Sequence, residues 1–148
     1  MSTYLSEHFS LDELIATSHR GIDNRPPKIV VANLAETARR MEAVRQILGG
    51  RPILVTSGYR CPALNTEVGG SKTSAHLLGW AVDFICPRFG SPLDVCRVLA
   101  AAQAAGDLAF DQLIEEGTWV HISFEPRPMR GQVLTKRAGG GYALGLRF

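Results

Sequence analysis

The chain lacks the features that mark disulfide scaffolds, membrane-spanning proteins and nucleic-acid binders. Its 148 residues include only three cysteines, Cys61, Cys86 and Cys96, and these fall in no paired motif, so a disulfide framework is not expected. No apolar run reaches the ~18 residues that a membrane-spanning helix needs. The net charge of +2 is too small for a dedicated nucleic-acid binder, although it permits approach to an anionic polymer.

Two further absences narrow the function. The first 20 residues carry Glu7, Asp12 and Glu13 and contain no apolar segment of the kind found in secretory signal peptides, so we expect synthesis in the cytoplasm. Residues 69–73 superficially resemble the end of a phosphate-binding loop, but the first glycine of that motif is missing. The length and the hydrophobic content of 45% are typical of one globular domain, residues 1–148.

The spacing of apolar residues predicts an α+β fold with a small antiparallel sheet, flanked by one long amphipathic helix and shorter helices. The residues after 126 fit an edge strand or a loosely ordered flap equally well. The predicted elements are a short helix from Leu11 behind a Ser-x-x-Glu capping box, a long helix from Lys28 to Leu48, a buried strand over 52–57, a brief helix over 63–68, a strand over 80–85, a helix from Pro92 to about Ala105, and a hairpin of strands 110–116 and 119–124.

Two histidines and one aspartate form the leading candidate site. His76 ends a Ser/Gly-rich loop, Asp83 lies in the following strand, and Gly79 between them permits a chain reversal. A carboxylate in so apolar a strand needs a partner, which is either a metal or an arginine. His121 lies in a later strand. Each histidine alone fits a surface or core position, but two imidazoles, one carboxylate and an open fourth position form the donor set of a catalytic zinc site, which favours a metal-dependent hydrolase.

Three segments resemble the M15 family of zinc peptidases, in the order in which that family has them. They are Ser-Gly-Tyr-Arg at residues 57–60, Ser-x-His-x-x-Gly-x-Ala-x-Asp at residues 74–83 and Trp-Val-His at residues 119–121. The family contains D-alanyl-D-alanine carboxypeptidases, D,D-dipeptidases and phage L-alanyl-D-glutamate endolysins, and it shares its core fold with the hedgehog signalling domain. The resemblance is to the phage and prophage branch and extends from about residue 9 to residue 124.

The resemblance implies roles for five residues. His76, Asp83 and His121 would bind one Zn²⁺, with water in the fourth position. Arg60 corresponds to the arginine that faces the substrate carbonyl or carboxylate, a task that suits a planar and permanently charged guanidinium. Ser74 would form a hydrogen bond close to the metal or orient the loop.

The general base is the point at which the chain departs from the family pattern. Several members have an acid three residues before the last histidine ligand, and this chain has Thr118 there. The available acids are Glu115 and Glu116, just before the hairpin turn. The phage-branch pattern places the acid at Glu116, and Glu115 is the substitute, because a shift in strand register would exchange the two.

The resemblance therefore implies a zinc-dependent peptidase that cuts a peptide bond in bacterial peptidoglycan stem peptides, as a D,D-carboxypeptidase or an L-alanyl-D-glutamate endopeptidase. Its context would be phage or prophage lysis, or wall remodelling, after release or export from the cytoplasm. We expect a monomer whose partner is the peptidoglycan peptide, with no nucleic acid and no membrane span. One alternative, supported by Thr118, is a catalytically silent, zinc-stabilised wall-binding module; another is a phage structural component used as a wall anchor.

Overall fold

A computed structural model describes residues 3–146 as helices packed on one sheet of six strands. The helices are α1 (Leu11–Ile15), α2 (Lys28–Ile47), α3 (Pro62–Glu67) and α4 (Pro92–Ala104), with a 3-10 turn at Ala75–Leu78. The strands are β1 (Leu54–Ser57), β2 (Ala81–Ile85), β3 (Gln112–Glu115), β4 (Val120–Ser123), β5 (Gln132–Lys136) and β6 (Tyr142–Leu144). The α+β class is confirmed.

The predicted helices are present, and local signals explain where they begin. The Ser10 side chain accepts the Glu13 N–H, while the Glu13 carboxylate accepts the Ser10 N–H, which completes the predicted capping box of α1. Ser91 and Asp94 form the same reciprocal cap on α4. The apolar residues of α2 recur every three or four positions and therefore lie along one side of the helix. The buried residues of α2 are Val30, Leu34, Thr37, Ala38, Met41 and Val44.

The sheet is mixed, with the strand order β1-β2-β4-β3-β5-β6, so the prediction of a purely antiparallel sheet is wrong at one pair. Strand β5 runs parallel to β3, and the other neighbouring pairs are antiparallel. The reason is geometric. Both edges of β4 are already occupied, by β2 and β3, and the chain leaves β4 at the end where β3 begins. The next strand pairs with the nearby free edge of β3, and it then runs in the same direction as β3.

Strand β1 was predicted to be buried, and that prediction is wrong. It has β2 as its only neighbour in the sheet, and Leu54 at its start is 52% exposed. Its register is interrupted between Val55 and Ser57, after which Ser57 lies opposite Asp83. The apolar, β-branched composition that suggested burial is equally compatible with an edge strand.

The C-terminal residues, up to 146, form strands β5 and β6 instead of a loosely ordered flap. The glycine run supplies the turn between these strands, because Gly140 and Gly141 adopt φ values of 99° and 73°, which favour glycine. The Arg137 N–H donates to the Gly141 carbonyl and closes the turn. Residues 147 and 148 lie outside the described part of the chain. Among the described residues, β6 is an edge strand of the sheet.

The hydrophobic core lies between the sheet and helices α2 and α4. Val82 and Phe84 of β2 pack there with Leu34, Met41 and Leu99 of the two helices. None of the three cysteines is in a disulfide, as expected. No helix between residues 3 and 146 combines the length and the apolar character needed to cross a membrane. One face of the sheet thus packs against the helices, and the candidate site residues Asp83 and His121 lie on the opposite face.

Candidate metal centre and active site

The structure brings the three predicted ligands together. Asp83 on β2 and His121 on β4 are direct partners in the antiparallel register, and the His121 Nδ1 lies 2.9 Å from the Asp83 Oδ1. The His76 Nε2 lies 3.2 Å from the same oxygen. One ligand atom from each residue falls within 4.8 Å of the others. This is the only cluster of at least three such side chains among residues 3–146 that could hold a metal ion.

His76 reaches the cluster through the predicted reversal at Gly79. The 3-10 turn ends at Gly79 with φ of 80°, a conformation that other residues resist. A Cβ at this position would also press on the side chains of Val30 and Leu34 in α2. The Thr37 hydroxyl donates to the Gly79 carbonyl at 2.6 Å. Helix α2 therefore fixes the turn that carries the first histidine.

Gly58 sets the orientation of the His76 ring. The His76 Nδ1 lies 2.7 Å from the Gly58 carbonyl oxygen, and since a carbonyl can only accept, Nδ1 carries the hydrogen. The other nitrogen, Nε2, is then left facing the cluster, as is usual for a metal-binding histidine held by its second nitrogen. His76 is 2% exposed, so the surface-loop explanation for this residue is wrong.

The electrostatics of the cluster fit a bound cation. Burial lowers the pKa of the His76 imidazole, so its Nε2 is unprotonated at neutral pH. Burial alone would raise the pKa of the Asp83 carboxyl, but His76 and His121 beside it hold that pKa below its ordinary value. An imidazole lone pair and a carboxylate oxygen therefore face each other at 3.2 Å. Two acceptors at this distance repel unless a positive charge lies between them, so the donor set fits a metal ion.

Arg60 is the second partner of Asp83. Its guanidinium donates to the Asp83 Oδ2 at 3.3 Å, to the Ser57 hydroxyl at 3.2 Å and to the Asn65 side-chain oxygen at 3.2 Å. Of the two partners expected for the buried carboxylate, the arginine therefore binds Oδ2, while Oδ1 faces His76 and His121. Three hydrogen bonds hold the guanidinium at the edge of the cluster.

The two candidate acids point to opposite faces of the sheet. Ile114 pairs with His121, and strand alternation puts Glu116 on the same side as the metal cluster. Half-burial raises the pKa of the Glu116 carboxyl, and the Asp83 charge raises it further against the opposing effect of His121. The Glu115 carboxylate instead accepts the Gly117 N–H. Glu116 is therefore the acid that faces the cluster.

Ser74 and Thr118 have local roles in the structure. The Ser74 hydroxyl accepts the N–H of His76 at 3.2 Å and caps the 3-10 turn. Thr118 lies exposed in the turn between β3 and β4. Two roles were expected for Ser74, and this hydrogen bond corresponds to the second, orientation of the loop.

A family model described as Peptidase M15 matches residues 7–123. The chain belongs to the peptidase M15 family. The zinc D-Ala-D-Ala carboxypeptidase of Streptomyces albus G is 33% identical over 86 residues, which are 58% of this chain and 31% of that protein. The match thus spans about a third of the relative, and the resemblance inferred from the sequence is confirmed at the level of the family.

The cluster of His76, Asp83 and His121 adjoins a cavity of about 380 Å³. Its lining includes Arg60, Asp83 and Trp119, together with residues 16–19, which directly follow α1. No motif in the sequence marks this segment as part of a site. The Tyr59 N–H donates to the Leu14 carbonyl at 2.8 Å and so holds the end of α1 beside the residues that follow β1.

Asn24 supports the site, and the sequence did not indicate this role. Its side-chain amide donates to the carbonyls of Ile15 and Tyr59, both at 2.9 Å, and its oxygen accepts the Cys61 N–H at 2.7 Å. The backbone on both sides of Arg60 is therefore fixed by one buried side chain. The sequence signal was a turn-forming Asp-Asn-Arg-Pro-Pro stretch, which indicates a loop but not its partners.

Proposed function

We propose that this chain is a zinc peptidase that hydrolyses a peptide bond in the stem peptides of bacterial peptidoglycan. The observation that carries the proposal is the buried cluster of His76, Asp83 and His121, with Glu116 on the same face of the sheet and Arg60 lining the adjoining cavity. Membership of the M15 family supports a peptidase, and the zinc carboxypeptidase relative supports zinc and a D-alanyl substrate. The chain acts as a monomer on the wall peptide and needs no nucleic acid.

His76, Asp83 and His121 hold the zinc ion. When bound in such a site, zinc supplies a Lewis acid that polarises a carbonyl and lowers the pKa of water toward about 7. The Gly58 carbonyl leaves the His76 Nε2 facing the cluster, where it would bind the metal, and the Arg60 guanidinium donates to the Asp83 Oδ2. The ligands are therefore oriented before the metal arrives.

Glu116 is the general base. Its carboxylate faces the cluster and takes a proton from the attacking water, then gives that proton to the leaving amine. The raised pKa of this half-buried carboxyl suits the role, because a pKa closer to neutral makes the carboxylate a stronger base toward water and still leaves the acid able to protonate the more basic leaving amine. Thr118, at the position where several relatives have an acid, leaves this role to Glu116.

Arg60 stabilises negative charge on the substrate. The guanidinium lines the cavity and can pair with the oxygen of the scissile carbonyl or, bidentately, with a terminal carboxylate. Ser74 supports this arrangement indirectly, because its hydroxyl holds the N–H of His76 and so the ligand loop.

The context that fits this activity is a phage or prophage lysis enzyme, or a bacterial enzyme that remodels the wall. In either context the substrate lies outside the cytoplasmic membrane, so the protein acts after release or export. The reaction is removal of a terminal D-alanine or cleavage of the L-alanyl-D-glutamate bond, and the two leave different new ends on the stem peptide.

Digestion of purified peptidoglycan tests the proposal. The zinc-loaded protein, an EDTA-treated sample and the same sample with zinc restored are compared, and released fragments are identified by mass spectrometry. We expect release that disappears with EDTA and returns with zinc, and the mass of the fragments identifies the bond. Tight zinc binding without release from any wall type would contradict a peptidase and favour the wall-binding module.

A further inference from the structure

One row of side chains crosses four strands on the face of the sheet that carries the metal cluster. The Glu116 N–H donates to the Trp119 carbonyl at 3.0 Å, which continues the β3–β4 pairing. Strands β3 and β5 are paired in parallel up to the residues just before Glu116 and Lys136, so these two lie side by side. Lys136 in turn pairs with Tyr142 on β6. The row is therefore Trp119, Glu116, Lys136 and Tyr142.

The side chains of this row contact one another across the strands. The Tyr142 phenol and the Glu116 carboxyl influence each other's pKa: burial and then the Glu116 charge raise the pKa of the phenol, while Tyr142 lowers that of the acid against the effect of burial. The Lys136 ammonium lies 5.6 Å from the centroid of the Trp119 ring, within range of a cation–π contact. The Lys136 ammonium thus lies over the Trp119 ring, and the Tyr142 phenol is the uncharged hydrogen-bond donor beside the Glu116 carboxylate.

The turn between β5 and β6 makes this contact possible. Tyr142 directly follows Gly140 and Gly141, whose left-handed backbone reverses the chain within one turn. Ala143, the next residue, is 8% exposed and anchors β6 to the sheet, whereas the Tyr142 side chain remains 49% exposed at the rim of the site. The glycine run therefore forms the turn that positions Tyr142 near Glu116.

We propose that Tyr142 is a positioning residue for Glu116, delivered to the active site by the C-terminal strand β6. The inference rests on the proposed peptidase function. A carboxylate at the end of a strand has several side-chain orientations, and only some direct an oxygen toward the attacking water. A hydrogen bond from the phenol to one oxygen selects among them and leaves the other oxygen free to accept the proton.

The test compares Tyr142→Phe with Tyr4→Phe, which removes the same hydroxyl from an exposed tyrosine near the N terminus. Kinetics on a stem-peptide substrate are measured together with zinc content and the melting temperature. We expect Tyr142→Phe to lower kcat roughly tenfold, the size of one hydrogen bond to a charged group, with KM within about twofold. Zinc content and melting temperature should equal those of the wild type, and Tyr4→Phe should change none of the four.

A double-variant cycle separates positioning from a general structural effect. If Tyr142 acts through Glu116, then adding Tyr142→Phe to Glu116→Gln causes no further loss of the residual kcat. Additive losses, or a Tyr142→Phe variant with wild-type kcat, would overturn the positioning role while leaving the peptidase intact. A wild-type protein that releases no peptide would overturn the proposed function itself, and the role of Tyr142 in hydrolysis with it.

Discussion

Asp83 and His121 are 38 residues apart in the chain, yet they are direct partners on adjacent antiparallel strands, with 2.9 Å between Oδ1 and Nδ1. Their contact therefore depends on the register of β2 and β4. A slip by one residue would turn His121 to the helix-packed face and dissolve the cluster. Because the opposite face is filled by core residues such as Val82, the hydrophobic core itself selects the register that assembles the site.

Gly58 is expected to be intolerant of a side chain. A Cβ at this position would overlap the backbone carbonyl of Leu14, and that backbone cannot move aside cheaply. Gly58→Ala should lower the free energy of unfolding by about 1–3 kcal/mol and weaken zinc binding, since the Gly58 carbonyl orients His76. Urea unfolding and zinc titration measure the two effects. Gly21→Ala is the control, because nothing lies within 4 Å of that site; equal unfolding midpoints would refute the argument.

Glu116→Gln should abolish most of the activity without releasing the metal. The amide cannot accept the proton of water, so kcat should fall by a factor of roughly 10² to 10⁴. Zinc content should stay at the wild-type level, because Glu116 is outside the cluster of ligands. Glu115→Gln is the matched control on the opposite face of the strand and should retain activity. Loss of activity in the Glu115 variant instead would reverse the assignment of the base.

Asp111 joins the last strands to the rest of the sheet. Its carboxylate is fully buried and accepts hydrogen bonds from Arg130 at 2.8 and 2.9 Å and from Arg127 at 2.9 Å. The Arg130 hydrogen bonds hold the pKa of this carboxyl below its ordinary value, against the effect of burial, and Arg127 lowers it further. Asp111→Asn should therefore cost about 1–3 kcal/mol of unfolding free energy at neutral pH.

The pH dependence of that cost follows from the sign of the shift. A carboxyl whose pKa is lower in the folded state contributes its full stability above the unfolded-state pKa, which is about 4. The contribution is lost as the pH falls through the lower, folded-state value. The difference in urea midpoint between wild type and Asp111→Asn should thus be constant from pH 8 to pH 5 and shrink below pH 4. Asp23→Asn, at an exposed Asp–Arg pair, should change the midpoint little.

The cysteines should differ in reactivity. Burial, together with the Glu115 charge, raises the pKa of the Cys96 thiol to about 12, and burial also raises that of Cys86. Cys61 is half-buried at the start of α3. A thiol reagent at pH 8 should modify one cysteine per native chain, Cys61, and all three after denaturation. Rapid reaction of all three in the native protein would show that the core is more open than the structure describes.

Elements encoded by nearby residues were predictable from the sequence. The cap of α1 depends on Ser10 and Glu13, three residues apart, and the long helix α2 follows from apolar spacing alone. The edge position of β1 and the parallel pairing of β3 with β5 depend on which strand edges remain free after the rest of the sheet forms. No local pattern encodes that information, and both predictions failed there.

The same distinction between local and long-range information applies to the residues of the site. His76, Asp83 and His121 were identified because their residue types and their family motifs mark them, and the structure brings them together. Tyr142 and Asn24 were missed, because a lone tyrosine after a glycine run and a lone asparagine in a turn have no distinguishing pattern. Their importance lies in contacts with residues more than 20 positions away, which only the folded chain displays.

Zinc stoichiometry tests the central claim most directly. The purified protein is stripped with a chelator, dialysed against zinc and analysed for bound metal, alongside Asp83→Asn and His121→Ala. We expect one tightly bound zinc per wild-type chain and a large loss of affinity in both variants, with the Glu116→Gln protein retaining its metal. Variants that bind zinc as tightly as the wild type, or a wild-type chain that binds none, would contradict a metal centre at His76, Asp83 and His121.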